Sequence, residues 1–378
     1  MLRSPVLIAA ALAVLATAGC AEIRDGATRA DARLQSLLGT DEAPLPAPAA
    51  PDETAQALAD IEAAPDEAAR VAATKRLRAQ AEAGDARAQF AYALALRSGR
   101  GVARDPAAAA DWLERAARQQ VAPAAYLLGL AYWRGEGVAQ DDGKAVEWLL
   151  RAAAQNNPGA QYQLGIAHRE GRGVAPDERA ALDWFERAAT LGHAEAQYVA
   201  GAAYLNGRGT KADSAWAVRW LGKAAEQGIA DAQYLMALAS AAGSGLPKSS
   251  VAAYAWASRA AAQGHARATE LRAAMDGRLD PGDRAAAEWL NARWRPVDTA
   301  YVDARGDRPT VTFVQVALTA IDEKPGRIDG VLGPMTRGAI AAAQRRLGLT
   351  VTGTIDEQTL QALRRERLAH QETAERPS

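Results

Sequence analysis

One period governs most of this chain. Glycine recurs at Gly99, Gly135, Gly171, Gly207 and Gly243, and again two residues later at Gly101, Gly137, Gly173, Gly209 and Gly245. Tryptophan keeps the same interval at Trp112, Trp148, Trp184, Trp220 and Trp256. The spacing is 36 residues throughout. A fixed period of this length makes each unit one supersecondary element, too small to bury its own apolar face, so neighbouring units must stack.

Each unit reads as two helices. The first carries an aromatic at Phe90, Tyr126, Tyr162, Tyr198 or Tyr234, followed three residues on by a small residue: Ala93, Gly129, Gly165, Gly201 or Ala237. Helical spacing sets both on one face, where the small residue admits a neighbouring helix. The glycine pair then ends the helix, because glycine takes the left-handed cap conformation at little cost. The second helix is expected to start at Asp105, Asp142, Asp177, Asp213 and Ser249, all N-cap residue types. Its buried stripe reads Ala109, Trp112, Ala116, and the same residue types recur in every unit. On this reading the tryptophans are core.

The run AQYQLGIAHREGRGVAPDERAALDWFERAATLGHAEAQ, residues 160–197, resembles the Sel-one-like repeat, a relative of the tetratricopeptide repeats. The resemblance covers about residues 81–294, with the solenoid placed at 83–294. It implies an all-α fold, an α/α superhelical repeat solenoid of antiparallel helix pairs that binds partner proteins. The fifth unit departs from it by carrying Ser249 in place of the capping aspartate. Residues 264–294 keep GHARA but lack the hinge, and read as a terminal cap.

The N-terminus reads as an address. Cys20 is the single cysteine of 378 residues, so no intramolecular disulfide can form. It closes MLRSPVLIAAALAVLATAGC, in which Arg3 precedes a short apolar run over residues 6–18. That run is too short for a membrane-spanning helix and has the form of a secretory signal. The ending TAGC resembles a bacterial lipobox, apart from Thr17 where leucine is usual, which implies lipid attachment at Cys20. An ordinary signal peptide cleaved nearby is the alternative. Ala21 follows the cysteine in place of an aspartate retention signal, which implies the periplasmic side of the outer membrane as the location. Residues 1–20 are thus expected to be the signal, 21–53 a Pro/Ala-rich tether, and 54–82 two N-terminal helices broken at Pro65.

A linker over 295–309 leads to a second domain. Apolar periodicity predicts three helices near 310–321, 334–346 and 356–366, followed by a polar tail over 369–378. Gly333-Pro334 has the form of an N-cap and first helical position, and Thr354 with Glu357 has capping-box spacing. Residues 310–368 resemble the small peptidoglycan-binding domain of bacterial wall hydrolases. The resemblance rests on Pro325, Gly326, Ile328, Asp329, Gly330, Gly333, Pro334, Thr336, Gln344, Gly348, Thr352, Gly353 and Thr359, among others. It implies a small three-helix domain that binds cell-wall glycopeptide beside its central loop, with Asp329, Gly330, Gly333, Thr336 and Arg337 near the ligand. Those glycines and Asp329 also have a plainer reading, as residues that shape the loop. Two departures bear on affinity: Asp322-Glu323 stands where the family has Gly-Tyr, and Ala343 where it has phenylalanine.

No catalytic constellation emerges. The four histidines, His168, His193, His265 and His370, form no HExxH motif, and there is no P-loop, dinucleotide fingerprint or GxSxG elbow. No cofactor or metal is expected. The net charge of −1 gives no field that favours nucleic acid. The expectation is a non-catalytic cell-envelope scaffold lipoprotein. It would hold envelope proteins through the solenoid, peptidoglycan weakly through the C-terminal domain, and a membrane through its N-terminal lipid. An accessory lipoprotein of a polysaccharide-export or envelope-assembly complex, and a wall-modifying enzyme, are the alternatives.

Overall fold

The computed structural model describes residues 63, 64, 66–296 and 308–374. Cys20, the tether and the first of the two helices expected over 54–82 lie outside the described residues. Sixteen α-helices and no strand occur among those described. A solenoid of helical repeats is followed by a C-terminal helical domain. The chain divides into two compact units between Ala188 and Ala189.

The unit that ends at Ala188 contains α1 (Glu67–Glu82), α2 (Ala86–Ser98), α3 (Pro106–Arg118), α4 (Ala122–Arg134), α5 (Asp142–Ala154), α6 (Pro158–Glu170) and most of α7 (Glu178–Thr190). The two hinge glycines have different duties. Gly135 ends α4 with φ 67°, and its N–H donates to the Ala131 carbonyl. Gly137 is a point of contact between units: a Cβ there would lie 2.0 Å from the Pro106 carbonyl oxygen at the start of α3. The same approach brings Gly173 onto the Asp142 carbonyl, where a Cβ would sit 2.2 Å away. The first glycine therefore caps, and the second lets the hinge press on the preceding repeat.

Helix starts follow the 36-residue register more strictly than expected. The cap of α5 is Asp141, not Asp142, and Asp141 Oδ1 accepts from the Lys144 N–H at 2.9 Å. Asp142 is the first helical residue, and its carboxylate meets Arg172 at 2.9 Å. Asp105 and Asp177 cap as expected.

The deepest core position is the residue after each tryptophan. Leu113, Leu149 and Phe185 are buried, while Trp112 and Trp184 remain partly exposed. The small residues of the first helices serve this position. A Cβ at Gly129 would lie 2.8 Å from Leu149 Cγ, and one at Gly165 would lie 2.5 Å from Phe185 Cε1. Each tryptophan is roofed by the arginine three residues on: Arg115 lies 4.4 Å from the Trp112 ring, Arg151 4.4 Å from Trp148 and Arg187 4.6 Å from Trp184. The expectation that the tryptophans are core holds for Trp148 and Trp220, which are buried, while Trp112, Trp184 and Trp256 lie at the edge of the core under their arginines.

The second unit holds α8 (Ala194–Asn206), α9 (Ser214–Glu226), α10 (Ala230–Ala242), α11 (Ser250–Ala262), α12 (Ala266–Asp276) and α13 (Pro281–Arg293). It continues with α14 (Arg308–Ala320), α15 (Pro334–Arg346) and α16 (Glu357–Ala374). Its repeats obey the same rules. Leu221 is fully buried against Gly201, and Arg259 lies 4.4 Å from the Trp256 ring. Glutamines join successive pairs: the half-buried Gln227 donates from Nε2 to Oε1 of the buried Gln197 at 2.7 Å, and Gln197 Nε2 donates to the Ala189 carbonyl at 3.0 Å. Gln263 and Gln233 repeat the arrangement at 2.8 Å. His193 and His265 are N-caps, each with Nδ1 accepting a backbone N–H, at 3.3 Å and 3.1 Å. Beyond the fifth repeat, α12 and α13 follow, and Tyr254 and Ala255 of α11 form a small core with Ala287 of α13.

The C-terminal domain is seated on α9. Arg364 donates to Asp213 Oδ2 at 3.2 Å and to the Tyr204 hydroxyl at 3.2 Å, and Arg367 donates to Asp213 Oδ1. Trp216 meets Phe313 edge-on with centroids 4.9 Å apart. Arg219 donates to Thr310 Oγ1 at 3.3 Å, and Pro309 fills the space left by Gly222. This seating explains why α16 runs to Ala374, past the end expected near 366. Its third turn carries Arg364 and Arg367 into Asp213, and Glu372 further on pairs with Lys211.

Candidate functional site

The five residues that the resemblance nominated sit on the segment from Asp329 into the first turn of α15. What organises this segment is a residue the sequence reading passed over, Gln315 of α14. It is buried, and its Oε1 accepts from the N–H groups of Asp329 at 3.1 Å and Gly330 at 2.9 Å. Its Nε2 donates to Asp329 Oδ1 at 3.1 Å, the Val331 carbonyl at 3.2 Å and Thr336 Oγ1 at 3.2 Å. One amide side chain therefore fixes three of the five candidates.

Those three have structural duties. The Asp329 carboxylate accepts from the Val331 N–H at 2.9 Å. That bond, then the one from Gln315, holds its pKa below the usual carboxylate value, with a smaller contribution from Arg327. Gly330 has φ 73°, and a Cβ there would lie 2.4 Å from Arg308 Cγ. Thr336 is buried and donates to the Pro325 carbonyl at 2.9 Å. The other two candidates face outward. Gly333 caps α15 without a side chain to cover its first N–H groups, and a Cβ there would meet nothing within 4 Å. Arg337 is exposed in the first turn. Beside them Val331 and Met335 are 61% and 64% exposed, forming an apolar rim next to an open helix start. Lys324 and Arg327 are exposed on the same loop. The arrangement offers backbone donors and cations to an anion, and an apolar edge to its body.

The second loop of the domain repeats the first. Gln344 Oε1 accepts from Thr352 and Gly353 at 2.9 Å each, and its Nε2 donates to Thr352 Oγ1 at 3.0 Å and Thr359 Oγ1 at 3.0 Å. Glutamine, glycine and a threonine six residues beyond the glycine thus recur as Gln315–Gly330–Thr336 and Gln344–Gly353–Thr359. The signal was present in sequence as two polar residues inside apolar helix faces. The cap of α16 is Asp356, whose Oδ1 accepts from Thr359 N–H at 2.7 Å. Thr354, the expected cap, is instead drawn back to Gln344 through its carbonyl at 3.1 Å.

The two departures from the family pattern have local consequences. Asp322 has φ 63°, the left-handed conformation that the family's glycine takes without strain. Glu323 faces Arg346 at 3.8 Å, so only one of the two acidic residues is unpaired by a cation. Ala343 is fully buried in the domain core. Elsewhere among the described residues, no group of three or more His, Cys, Asp or Glu side chains is placed to hold a metal ion. None of the described helices is long and apolar enough to cross a membrane.

Comparison with known proteins agrees with this architecture. The family model of the Sel1 repeat matches five times, over residues 86–121, 122–157, 158–193, 194–229 and 230–265. A family model of peptidoglycan binding domains matches residues 307–363. A Sel1 repeat protein from Oxalobacter formigenes superposes with a TM-score of 0.52 and 26% identity, over 66% of this chain and 100% of its own. The protective antigen c5321 of uropathogenic Escherichia coli, which displays the same repeat fold, gives a TM-score of 0.53 at 24% identity. It is matched over 78% of this chain and 64% of its own. A Synechococcus elongatus protein named for OpcA of the OxPP cycle is 50% identical over 50 residues, and this chain spans 11% of its length. The chain thus carries five Sel1 repeats and a C-terminal peptidoglycan-binding domain.

Proposed function

We propose that this Sel1-repeat chain is a non-catalytic scaffold of the bacterial cell envelope, lipid-anchored at Cys20 on the periplasmic side of the outer membrane. Its repeats hold partner proteins. Its C-terminal domain contacts peptidoglycan through the Asp329–Arg337 segment, with Arg337 and the open start of α15 as the direct contacts. Asp329, Gly330 and Thr336 set the shape of that contact, and Gly333 keeps it open.

One observation supports the scaffold reading above the rest. The face of α9 already receives a folded domain, through Asp213, Trp216 and Arg219. In the first three repeats the Arg219 position holds the exposed Asp111, Glu147 and Asp183, the Asp213 position keeps aspartate, and the Trp216 position holds Ala108, Lys144 and Ala180. This supports a repeat face that receives protein, with aspartate and glutamate outnumbering Lys144 along it in those repeats, which favours a basic partner. The anchor is tested by Cys20→Ser, which moves the chain from the membrane to the soluble fraction and ends incorporation of labelled fatty acid. Unchanged labelling in that variant overturns the lipid anchor.

A further inference from the structure

A cleft of about 450 Å³ lies between the fifth repeat and the C-terminal domain. Two sequence changes shape it, one leaving room and one letting the C-terminal domain close in. Leu96, Tyr132, His168 and Tyr204 fill one register position in the first four repeats, and the fifth has Ser240. Glu114, Leu150 and Glu186 fill another in the first three repeats, and the fourth has Gly222. Pro309 packs over Gly222 and forms the floor on the domain side, while Arg308 and Asp329 continue that wall.

The lining is polar in a way the protein itself does not satisfy. Ser240 is fully buried, and its hydroxyl makes no hydrogen bond within the protein. The indole N–H of Trp294, also on the cleft, is buried without an acceptor. Buried donors without partners are rare, because each forfeits its hydration. Arg259 lies between two indoles, 4.4 Å from Trp256 and 5.1 Å from Trp294. Its Nε is fixed by Asn291 at 2.9 Å and one Nη by the Leu290 carbonyl at 3.3 Å. Neither partner is a carboxylate. Burial, with Arg308 nearby, lowers the Arg259 pKa to about 10 against the opposing pull of Glu226, so the guanidinium stays charged at neutral pH. Arg293 and Arg308 also line the cleft, against Glu226 and an Asp329 carboxylate already bonded to Val331 and Gln315. Cations therefore outnumber anions.

We propose that this cleft binds a carboxylate-bearing disaccharide. The acid group lies between Arg259 and Arg308, and the sugar hydroxyls meet Ser240 and Trp294. The volume suits a ligand of that size, and two guanidinium groups beside unpartnered hydroxyl and N–H groups fit an anionic sugar better than an apolar ligand. Asp329 borders both this cleft and the segment that carries Arg337, while Arg337 itself does not line the cleft, so a variant at Arg337 tells the two contacts apart.

Titration calorimetry on the full chain tests it with three probes: N-acetylglucosaminyl-N-acetylmuramic acid, digalacturonate and chitobiose. Chitobiose keeps the amino-sugar rings and lacks the carboxylate. At least one acidic probe binds, and chitobiose binds at least tenfold more weakly. Preference between the two acidic probes tells a wall fragment from an acidic polysaccharide as the source. Ser240→Tyr, a residue native to this register position, fills the cleft and abolishes binding. Arg308→Gln, at an exposed position, lowers affinity at least tenfold. Arg337→Ala, outside the cleft lining, keeps the wild-type affinity for the acidic probe. Absence of binding by both acidic probes, equal binding of chitobiose, or unchanged affinity in Ser240→Tyr overturns the proposal.

Discussion

Arg364 reaches across 151 residues of sequence to donate to Asp213, and Arg367 joins it on the same carboxylate. Asp213 is also the N-cap of α9, accepting from the Trp216 N–H at 3.0 Å. One buried side chain thus starts a repeat helix and holds the C-terminal domain on that repeat.

This double duty separates Asp213 from its counterparts. Asp105→Ala removes only a cap and is expected to cost about 1 kcal/mol. Asp213→Ala also strands the buried Arg367 guanidinium and is expected to cost about 3–5 kcal/mol. Chemical denaturation of the two variants measures the difference, and limited proteolysis of Asp213→Ala should release a C-terminal fragment. Equal costs would mean that the arginines contribute nothing to the seating.

The core of the repeats gives a second contrast. Phe185→Ala opens a cavity against Gly165 and should cost about 3–5 kcal/mol. Trp184→Ala should cost less, since that ring is partly exposed and its outer face is covered only by Arg187. Melting curves that rank the pair in the opposite order would restore the tryptophan to the centre of the core.

Much of this was legible in the sequence. The period, the helix pairs, the capping aspartates and the three C-terminal helices follow from glycine, tryptophan and aspartate at fixed spacing. Three things were not. The deep core residue was hidden because leucine and phenylalanine beside a conspicuous tryptophan draw no notice. Gln315 was hidden because its role lies in hydrogen bonds to a loop many residues away. The seating on α9 was hidden because Asp213 matches Asp105 by type, and only the unusual Trp216, Arg219 and Gly222 mark that repeat as different.

Acid should weaken the fold. Burial holds His168 and His193 below the ordinary imidazole pKa, against the smaller opposing pulls of Asp177 and Glu195. The unfolded chain then binds more protons than the folded one in mild acid. The stabilisation is complete above about pH 6.5 and is lost as pH falls through the lowered values. Tyrosine stands at the position of His168 in the second and fourth repeats, so His168→Tyr should lose less stability between about pH 7.5 and about pH 5.5. Thermal melts of both proteins at the two values check this, and equal losses would clear His168 of the effect.

Asp322 sits in a conformation that suits glycine, so Asp322→Gly should raise stability by about 0.5–1 kcal/mol. The midpoint of urea unfolding checks it. A lowered midpoint would show that the aspartate side chain contributes more than its backbone strain removes.

The central claim is that the C-terminal domain ties this repeat scaffold to the wall, and sedimentation of the purified full chain with isolated sacculi tests it most directly. The wild-type chain is expected to pellet with sacculi, and Arg337→Ala to pellet less. A wild-type chain that stays in the supernatant, at every salt concentration tried, would contradict it.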